Sequence, residues 1–287
     1  MEIITSVNNQ RIKEISNLKQ KKFRTESGKF FAEGLRAVEE AVRYADVTEV
    51  FYTGTEDRKL QELLNLAEEK KIPLCQVDDK VMAKLSDTKT PQGVLAVIRL
   101  PDNDLRQLQP HMADKKRHAG KQDSIGKAVP ETDNNAPVVI LDRIQDPGNM
   151  GTIIRTADAA GALGIILLED CVDPFSPKAV RASMGSLFHL PVVQGVTAEE
   201  ALTWCYRSGY EPVATAMQGA ANIYKADLSK KTAFIFGNEA NGVSEALQAA
   251  VQTRLFIPMT GLAESMNVAT AAGIILFEGL RQRKFCR

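Results

Sequence analysis

Three short runs constrain the fold of this chain most: Val138 to Leu141, Ile165 to Leu168 and Phe234 to Phe236. Each is apolar at every position. A strand with one wet face alternates apolar and polar residues, so strands like these are covered on both faces, as in a parallel sheet between helices. Their surroundings alternate accordingly. PVVILD, IILLE, VVQ, EPVATA and TAFIFG read as strands; GTIIRTADAAGALG, SPKAVRASMGSLFHL, AEEALTWCYRSG and VSEALQAAV read as helices. The stretch 256–284 closes the series. Its strand (Leu255, Phe256, Ile257) stops at Pro258, which cannot donate to a central ladder. A loop with Gly261 follows, then a long apolar helix entered through Ser265 and Asn267, with Ser265 as the candidate cap. Small residues (Ala269, Ala271, Ala272, Gly273) open that helix. The class is α/β.

Residues 29–100 show the same alternation on a smaller scale. GKFFAEGLRAVEEAVRY reads as a lead-in segment and a helix. EVFYT, IPLCQVD and QGVLAVIRL are strands, with helical EDRKLQELLNLAEEKK and DDKVMAKLSD between them. This predicts βαβ units in a layered sheet. Residues 101–136 differ: no aromatic residue, mixed charges, no sustained period, and Pro101, Pro110 and Pro130. Too little apolar surface is available there to offset ordering entropy, which predicts a mobile linker. The expected division is a domain at 1–100, a flexible linker at 101–136 and a larger domain at 137–287.

Lys and Arg (36) balance Asp and Glu (36), so the molecule as a whole has no strong field and a nucleic-acid partner needs a local patch. Residues 1–29 supply one: Arg11, Lys13, Lys19, Lys21, Lys22, Arg24 and Lys29 against Glu2, Glu14 and Glu26. Ile12, Ile15 and Leu18 recur at helical spacing and leave the Lys-rich side outward. That side is either a solvated helix face or a phosphate contact, with Phe23 available to stack on a base. The opening MEIITSVNNQR lacks the apolar core of a signal peptide, and no run is long enough to span a bilayer. Four cysteines without a C-x-x-C pair and three histidines predict reduced thiols, a cytoplasmic setting and no metal.

Three loops at strand ends carry the unusual residues. Asp146-Pro147-Gly148 is a turn sequence that leads to Asn149 and Gly151 at a helix start, with Arg155 one turn in. A guanidinium there is placed to hold a phosphate, and a plain surface arginine is the competing reading. Gly237-Asn238-Glu239 to Gly242 follows a buried strand. It is either a close-approach loop with one carboxylate or merely a tight turn. The third loop is Ile257 to Asn267. Neither G-x-G-x-x-G nor a phosphate-binding P-loop is present.

In this order, Asn149-x-Gly151-x-x-x-Arg155-Thr156-Ala157, Phe236-Gly237-Asn238-Glu239-x-x-Gly242 and Ile257-Pro258-Met259 through Ser265-Met266-Asn267-Val268-Ala269 resemble the motifs of the SpoU–TrmH branch of the SPOUT methyltransferases. The resemblance covers 137–284. The front part, with KKFRTESGKFFAEGLRAVEEAV, resembles the ribosomal-protein-like substrate-binding domain of rRNA-directed members. The resemblance implies a C-terminal α/β domain with a deep trefoil knot, a homodimer, and methyl transfer from S-adenosylmethionine to a ribose 2′-hydroxyl. The substrate it implies is 23S rRNA, with tRNA as the alternative and a noncatalytic RNA-binding protein as the other class. A drug-resistance enzyme is a near relative of this reading. Implied cofactor positions are Gly237, Asn238, Ile257, Met259 and Met266. Implied catalytic positions are Arg155, Asn149, Glu239, Ser265 and Asn267, with Arg155 either an electrostatic anchor or a participant in deprotonation. Limited proteolysis is expected to cut between about residues 101 and 136 and to release a dimeric C-terminal fragment; a resistant segment would show that it is docked.

Overall fold

The computed structural model describes residues 3–54, 57–108, 133–216 and 220–286. Most of the expected linker, 109–132, lies outside the described residues. The chain gathers into two compact units: 1–102 with 146–155 and 172–189, and 103–145 with 156–171 and 190–287.

In the first unit, strands β1 (Lys29–Glu33), β2 (Val47–Tyr52), β3 (Leu74–Gln76) and β4 (Val94–Arg99) form a sheet of order β1-β4-β2-β3. Helices α1 (Gln10–Asn17), α2 (Lys21–Ser27), α3 (Leu35–Tyr44), α4 (Arg58–Glu69) and α5 (Asp79–Leu85) accompany it. The expected βαβ pattern holds only for the parallel pair β2–β3, because β4 runs antiparallel to both its neighbours. The lead-in segment GKFF belongs to a strand: Phe30, Phe31 and Ala32 are buried in the register Phe30↔Ile98, Phe31↔Val97 and Ala32↔Ala96. Gly34, at φ 92°, turns the chain from that strand into α3, a conformation open to glycine. Ile12, Ile15 and Leu18 pack on Phe31, Phe51, Leu95 and Val97, so the helical spacing at the N-terminus marks a core face.

Arg24 departs from the expected solvent-facing row. It is buried, and its Nε and Nη2 donate to Asp173 Oδ2 at 3.0 and 2.5 Å while Nη1 donates to the carbonyls of Leu18 and Lys19 at 2.7 and 2.9 Å. A guanidinium so fully engaged is not available to a phosphate.

In the second unit, β5 (Val138–Leu141), β6 (Gly164–Leu168), β7 (Val192–Val196), β8 (Glu211–Thr215), β9 (Ala221–Asn222), β10 (Thr232–Phe236) and β11 (Thr253–Phe256) form a seven-stranded sheet of order β7-β6-β5-β10-β8-β11-β9. Every pairing in it is parallel. The continuous apolar runs therefore occupy the interior strands, as expected. Val138, Ile140, Ala233 and Ile235 share a core with Trp204 and Cys205 of helix α8 (Ala198–Ser208) and Leu247 of α9 (Glu245–Ala250). On β10, Phe234 instead meets Gly279 of the terminal helix α10 (Val268–Phe285), where an added Cβ would lie 3.5 Å from the ring. Both faces of the sheet are covered. Leu105–Leu108, inside the expected linker, forms a 3-10 helix whose Leu108 is fully buried in this core. At its far end Asp133 pairs with Arg283 at 3.3 Å and Lys284 at 3.5 Å.

Two further helices complete the chain. Helix α6 (Pro147–Ala159) starts four residues earlier than GTIIRTADAAGALG suggests. The segment SPKAVRASMGSLFHL is not one helix: α7 (Pro177–Ser183) stops at Met184 and Gly185, both left-handed, and a 3-10 turn follows at Ser186–Phe188. Gly185 sits at φ 96°, and an added Cβ there would fall 2.6 Å from Glu40 Cγ, so glycine suits both the left-handed turn and the close approach of Glu40.

Because Arg24 and Asp173 are both nearly excluded from solvent (side chains 5 % and 10 % exposed), removing one leaves a buried, uncompensated charge. Arg24→Ala is expected to cost about 3–5 kcal/mol in urea unfolding. A loss below about 1 kcal/mol would mean that the pair behaves like an exposed one.

Candidate active site

An all-parallel sheet places the carboxyl ends of all its strands along one edge, and the loops leaving that edge are where open α/β sheets hold ligands. In the second unit these loops are tied together by side chains. Asp142, just past β5, is buried; its Oδ1 accepts from Arg143 Nε at 3.0 Å and its Oδ2 from the Ser244 N–H at 2.7 Å. That carboxylate in turn holds the Arg143 guanidinium above its ordinary pKa. Gln145 Nε2 donates to the Asp170 carbonyl, beyond β6, at 2.6 Å, and the Gln145 N–H donates to Glu239 Oε2 at 3.4 Å. Cys171 Sγ lies 3.2 Å from the Leu141 carbonyl oxygen; burial pushes the thiol up to about 11, which keeps it a neutral S–H donor.

The loop after β10 is closed by Asn238. Its Oδ1 accepts from the backbone N–H groups of Ala240 and Asn241 at 3.0 and 3.1 Å, an Asx turn, and its Nδ2 donates to the Arg143 carbonyl at 3.0 Å. The Asn238 side chain is thus committed to shaping the loop. Gly237 is buried where a Cβ would come within 2.0 Å of Gly242 C and Val243 N, so only glycine allows the loop to fold back on itself. Glu239 is at the exposed tip.

The loop after β11 runs from Ile257 to Asn267 without helix or strand. Ile257 is half-buried, while Met259, Leu262, Ser265 and Met266 are exposed. The cap of α10 is Asn267 rather than Ser265: its Oδ1 accepts from Ala269 and Thr270 N–H groups at 2.9 and 3.2 Å. Asn is as good a cap as Ser, and it stands directly before the first helical residue. Since β8 lies between β10 and β11, the two loops leave the edge about 10 Å apart, two strand spacings. Gly237, Asn238, Glu239, Ile257, Met259, Ser265, Met266 and Asn267 are therefore brought together on one edge of one unit.

Asn149 and Arg155 belong to the part of α6 grouped with the first unit. Asp146 caps that helix: its Oδ1 accepts from the Asn149 N–H at 2.8 Å and its carbonyl from the Met150 N–H at 3.0 Å. Pro147 at the first helical position suits such a start. The Asn149 N–H and the Lys178 ammonium, 3.1 Å away, hold the Asp146 carboxyl below its usual range. Arg155 is exposed and Asn149 half-buried. Asp142, Gln145 and Asp146 organise these loops without belonging to any of the three motifs. The visible signal was an Asp at a strand end and an Asp just before Pro147.

Comparison with known proteins settles the family. Residues 136–277 match the SpoU rRNA Methylase family, and residues 9–96 match the MRM3-like substrate binding domain. The 23S rRNA (guanosine(2553)-2′-O)-methyltransferase RlmP of Bacillus subtilis is 31% identical, over 96% of this chain and 98% of that protein. The chain belongs to the SpoU rRNA methylase family. A second relative, the 23S rRNA (uridine(2479)-2′-O)-methyltransferase of Streptomyces viridochromogenes, is 32% identical over 91% of this chain and 85% of its own length. Among solved structures, the AdoMet-bound rRNA methyltransferase from Sinorhizobium meliloti superposes with a TM-score of 0.80 at 32% identity, over 99% of this chain and 98% of that one. The AdoMet complex of the SpoU methyltransferase AviRb from Streptomyces viridochromogenes gives 0.79 at 30% identity, over 96% and 99%.

The edge loops suit a nucleoside cofactor of the SpoU type. The 257–267 backbone lies outside any ladder and can offer N–H and C=O groups to a base, and Ile257, Met259 and Met266 add apolar and thioether surface. Gly237→Ala is expected to displace the 238–243 loop, lowering stability by about 1–3 kcal/mol in thermal unfolding and weakening S-adenosylmethionine binding in calorimetry. Unchanged values in both would show that the tight closure is not needed.

Proposed function

We propose that this chain is an S-adenosylmethionine-dependent methyltransferase that modifies a ribose 2′-hydroxyl of 23S rRNA. The observation that carries this is full-length similarity to enzymes named for that reaction on 23S rRNA, with the expected motif residues present in this chain. Bound S-adenosylmethionine supplies an activated methyl group on its sulfonium. In this reading Gly237, Asn238, Ile257, Met259 and Met266 hold it. Given the committed Asn238 side chain, that residue acts through its backbone and by shaping the loop.

A ribose hydroxyl is a weak nucleophile until its proton is taken or steered away. Arg155 offers a guanidinium rich in N–H donors and without an acceptor, so its role is to hold the adjacent phosphate and stabilise developing negative charge on the oxygen. Asn149, Glu239, Ser265 and Asn267 orient the ribose and Arg155. Orientation of this kind can supply much of the acceleration. The substrate-binding part is 1–100 and the methyltransferase part 137–287. Two further properties follow from the family reading: a C-terminal trefoil knot, which suits an interior position of β11 between the earlier strands β8 and β9, and a homodimer. No helix among the described residues is long and apolar enough to cross a membrane; in this reading the cytoplasmic location follows from the ribosomal RNA substrate.

The test uses purified protein and labelled S-adenosylmethionine with 23S rRNA and tRNA as separate substrates. Methyl incorporation into 23S rRNA alone is expected, at a ribose 2′-oxygen, with Arg155→Ala lowering the rate about 10²–10³-fold. Incorporation into tRNA instead would overturn the substrate, and full activity in the variant would remove Arg155 from the reaction.

A further inference from the structure

Helix α7 lies between two things that the reaction must bring into register, and all three belong to the first unit. On one side is the part matched to a substrate-binding domain. Arg181, in the last turn of α7, donates from Nη1 to Glu33 Oε1 at 2.7 Å and lies 3.4 Å from Asp87 Oδ2. Glu33 is itself nearly buried and is fixed by Ser86 Oγ and by the Asp87 N–H at 3.2 Å, so Arg181 grips a carboxylate that cannot swing away. The same segment is held before α7 by Arg24–Asp173 and after it by His189–Glu40 at 3.1 Å. Phe30 of β1 meets Phe175 and Phe188, on either side of α7, with ring centroids 4.9 and 6.3 Å away.

On the other side is α6, which carries Asn149 and Arg155. A Cβ at Gly151 would lie 2.5 Å from Ala182 Cβ, 2.6 Å from the Ala179 carbonyl oxygen and 2.8 Å from the Ser183 nitrogen. The two helices thus touch at backbone distance, one turn from Arg155. Lys178 of α7 also pairs with Asp146, the α6 cap. Close-packed backbone contacts transmit displacement rather than absorb it.

We propose that Arg181 is a positioning residue: by holding α7 on Glu33 and Asp87, it fixes the α6 register of Asn149 and Arg155 relative to RNA bound by the N-terminal part. This rests on the methyltransferase reading above. It makes the substrate-binding part a component of the reaction geometry and not only a tether.

The experiment compares wild type, Arg181→Ala, Arg181→Lys and Arg181→Gln in the full-length protein. Readouts are kcat and KM for a 23S rRNA fragment, S-adenosylmethionine affinity by calorimetry, and amide hydrogen exchange of residues 147–155. Arg181→Ala is expected to lower kcat on the order of tenfold to a hundredfold at saturating RNA. Cofactor affinity should stay unchanged, because the proposed cofactor residues belong to the second unit, and exchange in 147–155 should be faster. Arg181→Lys should recover most of the rate. A rise in KM with kcat intact, or unchanged exchange in 147–155, would overturn the proposal in favour of a simple tether. Should Arg181→Ala fail to fold, Arg181→Gln decides: wild-type kcat and exchange there would overturn it equally. If the wild type transfers no methyl group to RNA, the function reading falls, while the exchange comparison still decides whether Arg181 fixes α6.

Discussion

Parallel pairing of strands buried on both faces is the constraint on which the rest of this molecule depends. Because β5, β6, β8, β10 and β11 all run the same way, Leu141, Leu168, Thr215, Phe236 and Phe256 all end on one edge. Each loop leaving that edge has backbone groups that the ladder no longer satisfies. Asp142, Gln145 and Asn238 satisfy many of them, and in doing so link the loops after β5, β6 and β10. The loop after β11 is left comparatively open, with exposed Met259, Ser265 and Met266.

A different physical logic governs the first unit. Its links to the 172–189 segment are polar: Arg24 with Asp173 and Arg181 with Glu33 and Asp87 as ion pairs, and His189 with Glu40 as a hydrogen bond. The buried pair among them, Arg24–Asp173, adds little net stability, since desolvation offsets much of its attraction, but it tolerates few alternative geometries. That suits a part whose task is alignment. It also explains why a chain with balanced charge places a cation of its basic N-terminal run in the interior.

Much of the site was legible before any coordinates. Asn149, Arg155, Gly237 to Glu239 and Ser265 to Asn267 stood out because glycines, prolines and amides cluster where strands end, and their order matched a known family. What stayed hidden depended on partners far along the chain. Arg24 looked like its lysine neighbours until Asp173 was found beside it. The strand Lys29–Glu33 was missed because its five residues become a strand only by pairing with β4, some seventy positions later. The break at Met184–Gly185 is two consecutive left-handed residues, with Glu40, far back in the chain, packed close against Gly185.

The sequence by itself determined the α/β class, the central strands, most of the helices and the chemical identity of the loops, because apolar periodicity and turn chemistry act over a few residues. It also carried the family, through the order of its motifs. Only the tertiary structure decided that β1 pairs antiparallel with β4, that Asn238 ties its loop to the Arg143 carbonyl and that α7 backs Gly151. Each of these rests on a contact between groups far apart in the chain, whose separation in sequence says nothing of their separation in space.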